Sequence, residues 1–342
     1  MTSSRQNSYE DLEMCLKVCT WNILADCCCD DSDQGFPFTT ESARDPYERA
    51  RKQLLVIAKE NADLIGLQEV DKPERFLQFL SVIGYDVTYF KRDGSPLGTL
   101  VAIKKSLQMI MWEKAELPEN RFLLGVSFSL RGMPFTFYTT HLKAKREGEL
   151  ARIEQSKSIA VYCENAVCNY IVAGDFNDLP GSTCVSIMKK AGFVNVSDAG
   201  VLYYERPYTT YKTRRSPDGK PDTQKKIEDY IFFKGPNVTP VYCGESKYLA
   251  SLRRYRNFKI TPPGLPNDKW PSDHLCLRAI FHADDEAVAA KRRNKLEKER
   301  KMCDEGPPFL VKIDEDDNDS VFPGATVFPS SQLPNLIAYN LK

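Results

Sequence analysis

Six short stretches of this chain set polar or ionisable side chains against an apolar run: Trp21-Asn22, Gln68-Glu69, Thr140-His141, Asp175-Phe176-Asn177, Asp229-Tyr230 and Asp273-His274. Taken singly, each has an ordinary explanation, because Asn and Asp open turns and a strand-end acid is usually solvated. Taken together they offer one chemistry. Hard divalent cations bind oxygen, and magnesium typically takes one or two carboxylates, leaving room for water and phosphate. Glu69 is the first candidate ligand for Mg2+ (Mn2+ substituting), followed by Asn22 and Asp273. Phosphoester hydrolysis then needs a base for the attacking water. Asp175 suits that role, and Asn177, two residues on along the same face, can steer the water or a phosphoryl oxygen. His141 and His274 can donate to phosphoryl oxygens as charge builds there, and Asp229 can fix the tautomer of His274.

The elements that must carry these residues are legible in outline. Strands are expected over 14–21, 62–70, 98–103, 122–130, 134–141, 170–173, 228–233 and 275–281. Asp45-Pro46-Tyr47-Glu48 opens a helix, with Asp45 as cap, Pro46 in the first turn and Glu48 closing a capping box. Residues 147–167 read as an amphipathic helix with Leu150, Ile153, Ala160, Cys163 and Val167 on its apolar face. Strands both alternate with helices and follow one another, which predicts packed sheets with helices outside rather than one doubly wound sheet. The chain divides into a disordered lead (1–13), a catalytic domain (14–282) and a charged helix with an acidic, disordered tail (283–342), the tail being a place for a protein partner.

Composition narrows the partners. The 342 residues carry 47 basic and 47 acidic side chains, so any anion-binding surface must be local. The 11 cysteines form no paired C-x-x-C framework, and no apolar run is long enough to span a bilayer. These features predict a reduced intracellular compartment, cytoplasm first with nucleus or mitochondrion open, and a monomer. Cys27-Cys28-Cys29 reads as a mobile loop; three histidines in the whole chain make a zinc set unpromising.

The segments T-W-N-I-L, L-Q-E-V, T-H-L, G-D-F-N, D-Y-I and S-D-H, in this order from about residue 14 to 282, resemble the motif set of the endonuclease/exonuclease/phosphatase superfamily of magnesium-dependent phosphoesterases. The resemblance implies a four-layer α/β sandwich, two packed mixed sheets flanked by helices, with the active site at one edge. T-W-N-I-L-A-D, H-L-K-A-K and D-Y-I-F-F are similar to the nocturnin and carbon-catabolite-repressor deadenylase branch. K-I-E-D-Y-I-F-F argues against the inositol polyphosphate 5-phosphatases, and abasic-site endonucleases match less well around H-L-K-A-K.

The branch implies an adenine-containing substrate, either single-stranded RNA shortened by a 3′–5′ exoribonuclease or an adenine dinucleotide, NADP(H), that loses its 2′-phosphate. Lys143 and Lys145 could grip a second phosphate from one side of an extended segment, although Lys145 stands where the branch has Arg. Arg254 and Tyr255, like Tyr208, Tyr211 and the basic residues Lys212, Arg214, Arg215, Lys225 and Lys226, could stack and pair with a nucleotide, whereas Ser216 to Asp222 reads as a solvated loop. A binding module that had lost its chemistry would lack a member of the strand-end set, and none is missing. No leucine-rich repeats precede the domain, so action alone or through the tail is expected.

Overall fold

The computed structural model describes residues 15–33, 35–199, 208–245, 260 and 263–303. Arg254, Tyr255, the lead and the tail beyond 303 lie outside the described residues. The strands are β1 (Cys15–Asn22), β2 (Leu64–Val70), β3 (Tyr85–Lys91), β4 (Gly98–Lys104), β5 (Gln108–Leu117), β6 (Arg121–Leu130) and β7 (Met133–His141). They continue with β8 (Asn169–Asp175), β9 (Val194–Asn195), β10 (Thr210–Arg215), β11 (Pro221–Lys226), β12 (Asp229–Lys234), β13 (Val238–Glu245) and β14 (Leu277–Ala283). The helices are α1 (Glu41–Arg44), α2 (Pro46–Glu60), α3 (Pro73–Val82), α4 (Glu149–Tyr162), α5 (Thr183–Lys190) and α6 (Glu286–Cys303).

Two six-stranded sheets form, in the orders β13-β14-β1-β2-β4-β3 and β5-β6-β7-β8-β12-β9, with β10 and β11 as a separate hairpin. Strands buried on both faces read as continuous apolar runs, and the pleat sorts their side chains between two cores. Along β1, Leu16 and Val18 join the core between the sheets, whereas Cys19 and Trp21 pack with Leu54 of α2 and Phe76 of α3. On the other sheet Ile171 and Ala173 of β8 face inward, while Tyr170 and Val172 pack with Ile159 of α4 and Val185 of α5. Three apolar interfaces therefore separate four layers: helices, sheet, sheet, helices. Each fully buried aliphatic or aromatic side chain in them stabilises the fold by about 1.5–3 kcal/mol.

Each sheet holds one parallel pair, β1 with β2 and β7 with β8, among antiparallel neighbours. Helices α1 and α2 connect the first pair and α4 the second. Both pairs end at the same edge of the sandwich, where Asn22 reaches Asp175 across the two sheets.

Several local expectations need correction. Asp45 caps α2, accepting from Glu48 N–H at 2.8 Å, but the Glu48 carboxylate pairs with Arg51 at 3.0 Å rather than closing the box. Helix α4 is shorter than 147–167, and its inward face is not the apolar one expected. Leu150 and Val167 are exposed; Arg152, Gln155, Ser156 and Ile159 are buried. Buried polar side chains are tolerated there because each is bonded. Arg152 reaches Asp178 (3.0 Å) and the carbonyls of Lys143 (2.9 Å) and Lys145 (2.7 Å), and Gln155 bonds Lys143 N–H and Pro118 O. Helix α6 forms as read, yet its first turns dock on the body: Ala289 is buried and Arg293 donates to the carbonyls of Gly235, Pro236 and Val238. Strands β3, β5, β9, β10, β11 and β13 go beyond the sequence expectation; β5 is an edge strand with a mostly exposed first half, so its apolar signal is weak.

Candidate active site

Backbone irregularities aim the site residues. Pairing of β2 with β4 slips between Gln68 and Val70, and the extra residue, Glu69, sits at φ +57°. Such a bulge re-aims one side chain out of the pleat, and a non-glycine residue at positive φ marks stored strain. The Glu69 carboxylate accepts from Asn22 Nδ2 at 3.0 Å and from Ala25 N–H at 3.3 Å. It makes no ion pair with a lysine or arginine among the described residues. Gly174, before Asp175, has φ +148°, and an added Cβ would sit 2.0 Å from the Thr140 carbonyl. Only glycine lets β8 press this closely on β7, where His141 stands opposite Asp175 in register. Asp229 is opposite Asp175 on its other side, in β12.

Asp175 is the hub. Its Oδ2 accepts from Asn22 Nδ2 at 3.0 Å and lies 3.7 Å from His141 Nε2 and 3.8 Å from His274 Nε2. Its Oδ1 accepts from Asn177 N–H at 2.8 Å. The expected alternation of Asp175 and Asn177 along one strand face does not occur. The strand stops at Asp175, and Asn177 turns into the left-handed region at φ +51°, with Nδ2 donating to Leu142 O at 3.3 Å. Asn177 still lines the cleft, from a turn rather than a strand.

His274 is locked from several sides. Its Nδ1 meets Asp229 Oδ2 at 2.9 Å, and Thr209 Oγ donates to that same oxygen at 2.6 Å. Two indole N–H groups, of Trp21 (3.0 Å) and Trp270 (2.8 Å), donate to its carbonyl. Ser272 Oγ accepts from His274 N–H and donates to Asn22 O, tying the S-D-H loop to the end of β1. Behind the loop after β1, buried Arg49 donates to the carbonyls of Pro271 (2.9 Å) and Leu24 and pairs with Asp26.

Charge differs across the site. Burial would depress His274, but the carboxylates of Asp229, Asp273 and Asp175 outweigh it and push its pKa up to about 10. His141 goes the other way: burial, then the charges of Arg121 and Arg92, hold it well below the usual histidine range. Burial raises Asp175 to about 7, against the opposing pull of His274, so this carboxyl is poised to exchange a proton near neutrality. Asp273 has no hydrogen bond to Asn22 or Glu69 among the described residues; it accepts from Lys212 Nζ at 3.0 Å, and although burial opposes ionisation, that cation keeps it well below the usual carboxylate range.

These groups lie at the base of a cleft of about 1090 Å³ whose lining includes Glu69, His141, Asp175, Asp273 and His274. The structure thus brings together all eight catalytic and metal candidates, with changed duties for some. Asn22 turns its amide N–H groups, not its carbonyl oxygen, toward Glu69 and Asp175, since Oδ1 accepts from Leu24 N–H at 3.0 Å. In this arrangement Asn22 bridges the two carboxylates through its amide group. Ligand atoms of Asp175, Asp229 and His274 lie within 4.8 Å of one another, a cluster the sequence reading did not list as a metal set.

The lysine pair does not act as a pair. Lys145 lines the cleft from a residue at φ +72°, which ends the extended segment, whereas Lys143 donates to Glu119 at 2.9 Å outside the lining. Tyr211 is buried, because β10 pairs with the segment before His274, so it offers no stacking face. Arg215 is bound to Asp33, and Arg214 stacks on Phe36. Cys27 and Cys28 sit in a short 3-10 turn and line the cleft, while Cys29 packs with Leu24 and Phe36. Arg92 and Arg121 line the cleft without having been anticipated, for neither belongs to a basic run or a strand-end acid motif.

The sequence profile of the Endonuclease/Exonuclease/phosphatase family matches residues 19–274. The chain belongs to this family. Among curated proteins it is similar to nocturnin of Rattus norvegicus, 26% identical over 301 residues, covering 79% of this chain and 66% of nocturnin. It therefore spans slightly less than two thirds of that relative's length. Tyrosyl-DNA phosphodiesterase 2 of Mus musculus is 29% identical over 167 residues, covering 45% of this chain and 38% of that protein. Among solved structures, the human nocturnin catalytic domain with bound sulfate superposes with TM-score 0.57 at 21% identity, covering 79% of this chain and 94% of that one. ANGEL2, a 2′,3′-cyclic phosphatase, in complex with adenosine-2′,3′-vanadate, gives 0.59 at 19% identity, covering 79% and 96%. These likenesses agree with the Endonuclease/Exonuclease/phosphatase fold seen here. No helix among the described residues is long and apolar enough to cross a membrane.

Proposed function

We propose that this member of the family is a divalent-metal-dependent hydrolase of nucleotide phosphoesters, acting as a 3′–5′ exoribonuclease on adenine-containing RNA ends. The observation that carries the reading is Glu69: a strained, cleft-facing carboxylate with no lysine or arginine ion pair among the described residues, beside a second carboxyl, Asp175. Oxygen donors with uncompensated charge suit a hard cation, and Mg2+ or Mn2+ fits Glu69 with Asp175 nearby. When bound, the ion supplies positive charge to a phosphoryl oxygen.

The chain's own residues do the rest. Asp175 takes a proton from the attacking water, and Asn177 orients the water from the adjoining turn. His274, held as a cation by Asp229, donates to a phosphoryl oxygen, and neutral His141 donates a second hydrogen bond. At about 1090 Å³ the cleft is slightly larger than the usual small-molecule pocket, which leaves room for a strand of nucleotides. The alternative is an NADP(H) 2′-phosphatase; Lys145, where the branch has Arg, lacks the bidentate fork that suits a terminal phosphate, which favours RNA.

The test offers oligo(A), a mixed-sequence oligomer and NADP with Mg2+ to the wild type and to Glu69→Ala. We expect shortening of oligo(A), and a loss of at least about a thousandfold in the variant. Release of phosphate from NADP alone would sink the RNA reading, and an active Glu69→Ala would sink the metal role.

A further inference from the structure

Arg121 is an unusual residue for its place. It opens β6 after a three-residue turn, Pro118 to Asn120, whose Glu119 and Asn120 adopt left-handed conformations. That tight return sends the chain straight from β5 into β6 and fixes Arg121 at the cleft end of the strand. The residue is only 8% exposed, yet no hydrogen bond or ion pair engages its guanidinium among the described residues. Burying an arginine normally requires a carboxylate or carbonyls to meet its five N–H donors. Its nearest charged company includes another cation: Arg92, bonded to Ser95 Oγ at 2.6 Å, lines the same recess, together with His141, Gly98 and Thr99. Burial, then the charge of Arg92, lowers the Arg121 pKa to about 10, against the pull of Asp175, Glu69 and Glu119. Arg121 remains a cation at neutral pH, with unused donors aimed into the cleft.

Two guanidinium groups on one wall of the cleft, neither in an ion pair among the described residues, describe an anion site. His141 belongs to both neighbourhoods, since it lines this recess and stands 3.7 Å from Asp175 and 4.0 Å from Glu69. We propose that Arg92 and Arg121 hold a second phosphate of the substrate, next along the molecule from the phosphate that is hydrolysed. The proposal rests on the phosphoesterase reading and sharpens it: the preferred substrates carry at least two neighbouring phosphates, as an RNA strand or a dinucleotide does, and an isolated phosphoester is a poor one.

The experiment compares wild type, Arg121→Gln and Arg121→Lys on oligo(A), on NADP and on the p-nitrophenyl ester of thymidine 5′-monophosphate, which has a single phosphate. Arg121→Gln should lose about 10–100-fold in kcat/KM on the multi-phosphate substrates, mainly through KM, with a loss at least about tenfold smaller on the single-phosphate ester. Arg121→Lys should recover part of it. Oligo(A) and NADP separate the two sources of the second phosphate. Equal losses on all three substrates with a lowered Tm would mark Arg121 as a strut and overturn the proposal, as would no loss on any.

Binding of inorganic pyrophosphate, followed by calorimetry in EDTA, decides the anion site without turnover. If the wild type hydrolyses nothing, the phosphoesterase reading fails, while pyrophosphate bound by wild type and not by Arg121→Gln would still uphold the anion site. Equal binding by both would remove it.

Discussion

His141 and His274 flank the same carboxylate, with Nε2 atoms 3.7 and 3.8 Å from Asp175 Oδ2; His274 is buried and the His141 side chain is 10% exposed. Burial alone would leave both neutral. The corner around His274 adds three carboxylates, and the imidazole is held as a cation. The corner around His141 adds two guanidinium groups, and the imidazole stays neutral. One cleft thus keeps two chemically identical side chains in opposite protonation states a few ångströms apart. The lesson is that burial pushes both imidazoles toward neutrality, and the charges delivered by neighbouring strand ends and loops decide which one departs from it.

The comparison breaks most visibly if the anion behind His274 is removed. Asp229→Asn deletes the acceptor at 2.9 Å and the charge that most favours the imidazolium, and should lower kcat by about 10²–10⁴ with little change in KM. A change confined to KM would place Asp229 outside the chemistry. Direct titration sharpens the contrast next. In ¹⁵N NMR of the metal-free protein, one imidazole should remain protonated at pH 7 and titrate near 10, and His141 should show no proton uptake until well below the usual histidine range. Coincident titrations would abolish the distinction.

The smallest effect is on stability. The folded pKa of His274 exceeds its ordinary value of 6.5, so between pH 6.5 and about 10 the folded chain binds a proton that the unfolded chain lacks. Its contribution is therefore complete below pH 6.5 and is lost as pH rises through 10. Denaturant unfolding should show wild type losing its advantage over His274→Asn across that window, and a constant gap would contradict the assignment.

Much of this was readable from the chain alone. G-D-F-N, T-H-L and S-D-H named Asp175, His141 and His274 because an acid or imidazole after an apolar run is a local pattern. The capping Asp45 and the alternation along β1 are local too. What escaped depends on distance along the chain. Arg121 and Arg92 act by approaching His141 from other strands and loops, and the Asp273 pairing with Lys212 joins residues 61 apart in sequence. Helix α4 misled for a related reason: periodicity assumes that apolar residues face inward, but Arg152 and Gln155 are drawn in by hydrogen bonds to Asp178, Lys143, Lys145 and Pro118. The turn at Asn177 and the bulge at Glu69 are backbone choices that no apolar pattern encodes.

The pair of indoles clasping the His274 carbonyl has a practical use. The sequence contains three tryptophans, and two of them, Trp21 and Trp270, lie 5.2 Å apart with both N–H groups on that one oxygen. Two of the three intrinsic fluorophores of this kind are therefore wired to the loop that carries His274. A ligand that shifts His274 alters the polarity felt by both rings, so occupancy of the cleft can be followed by fluorescence with no label attached.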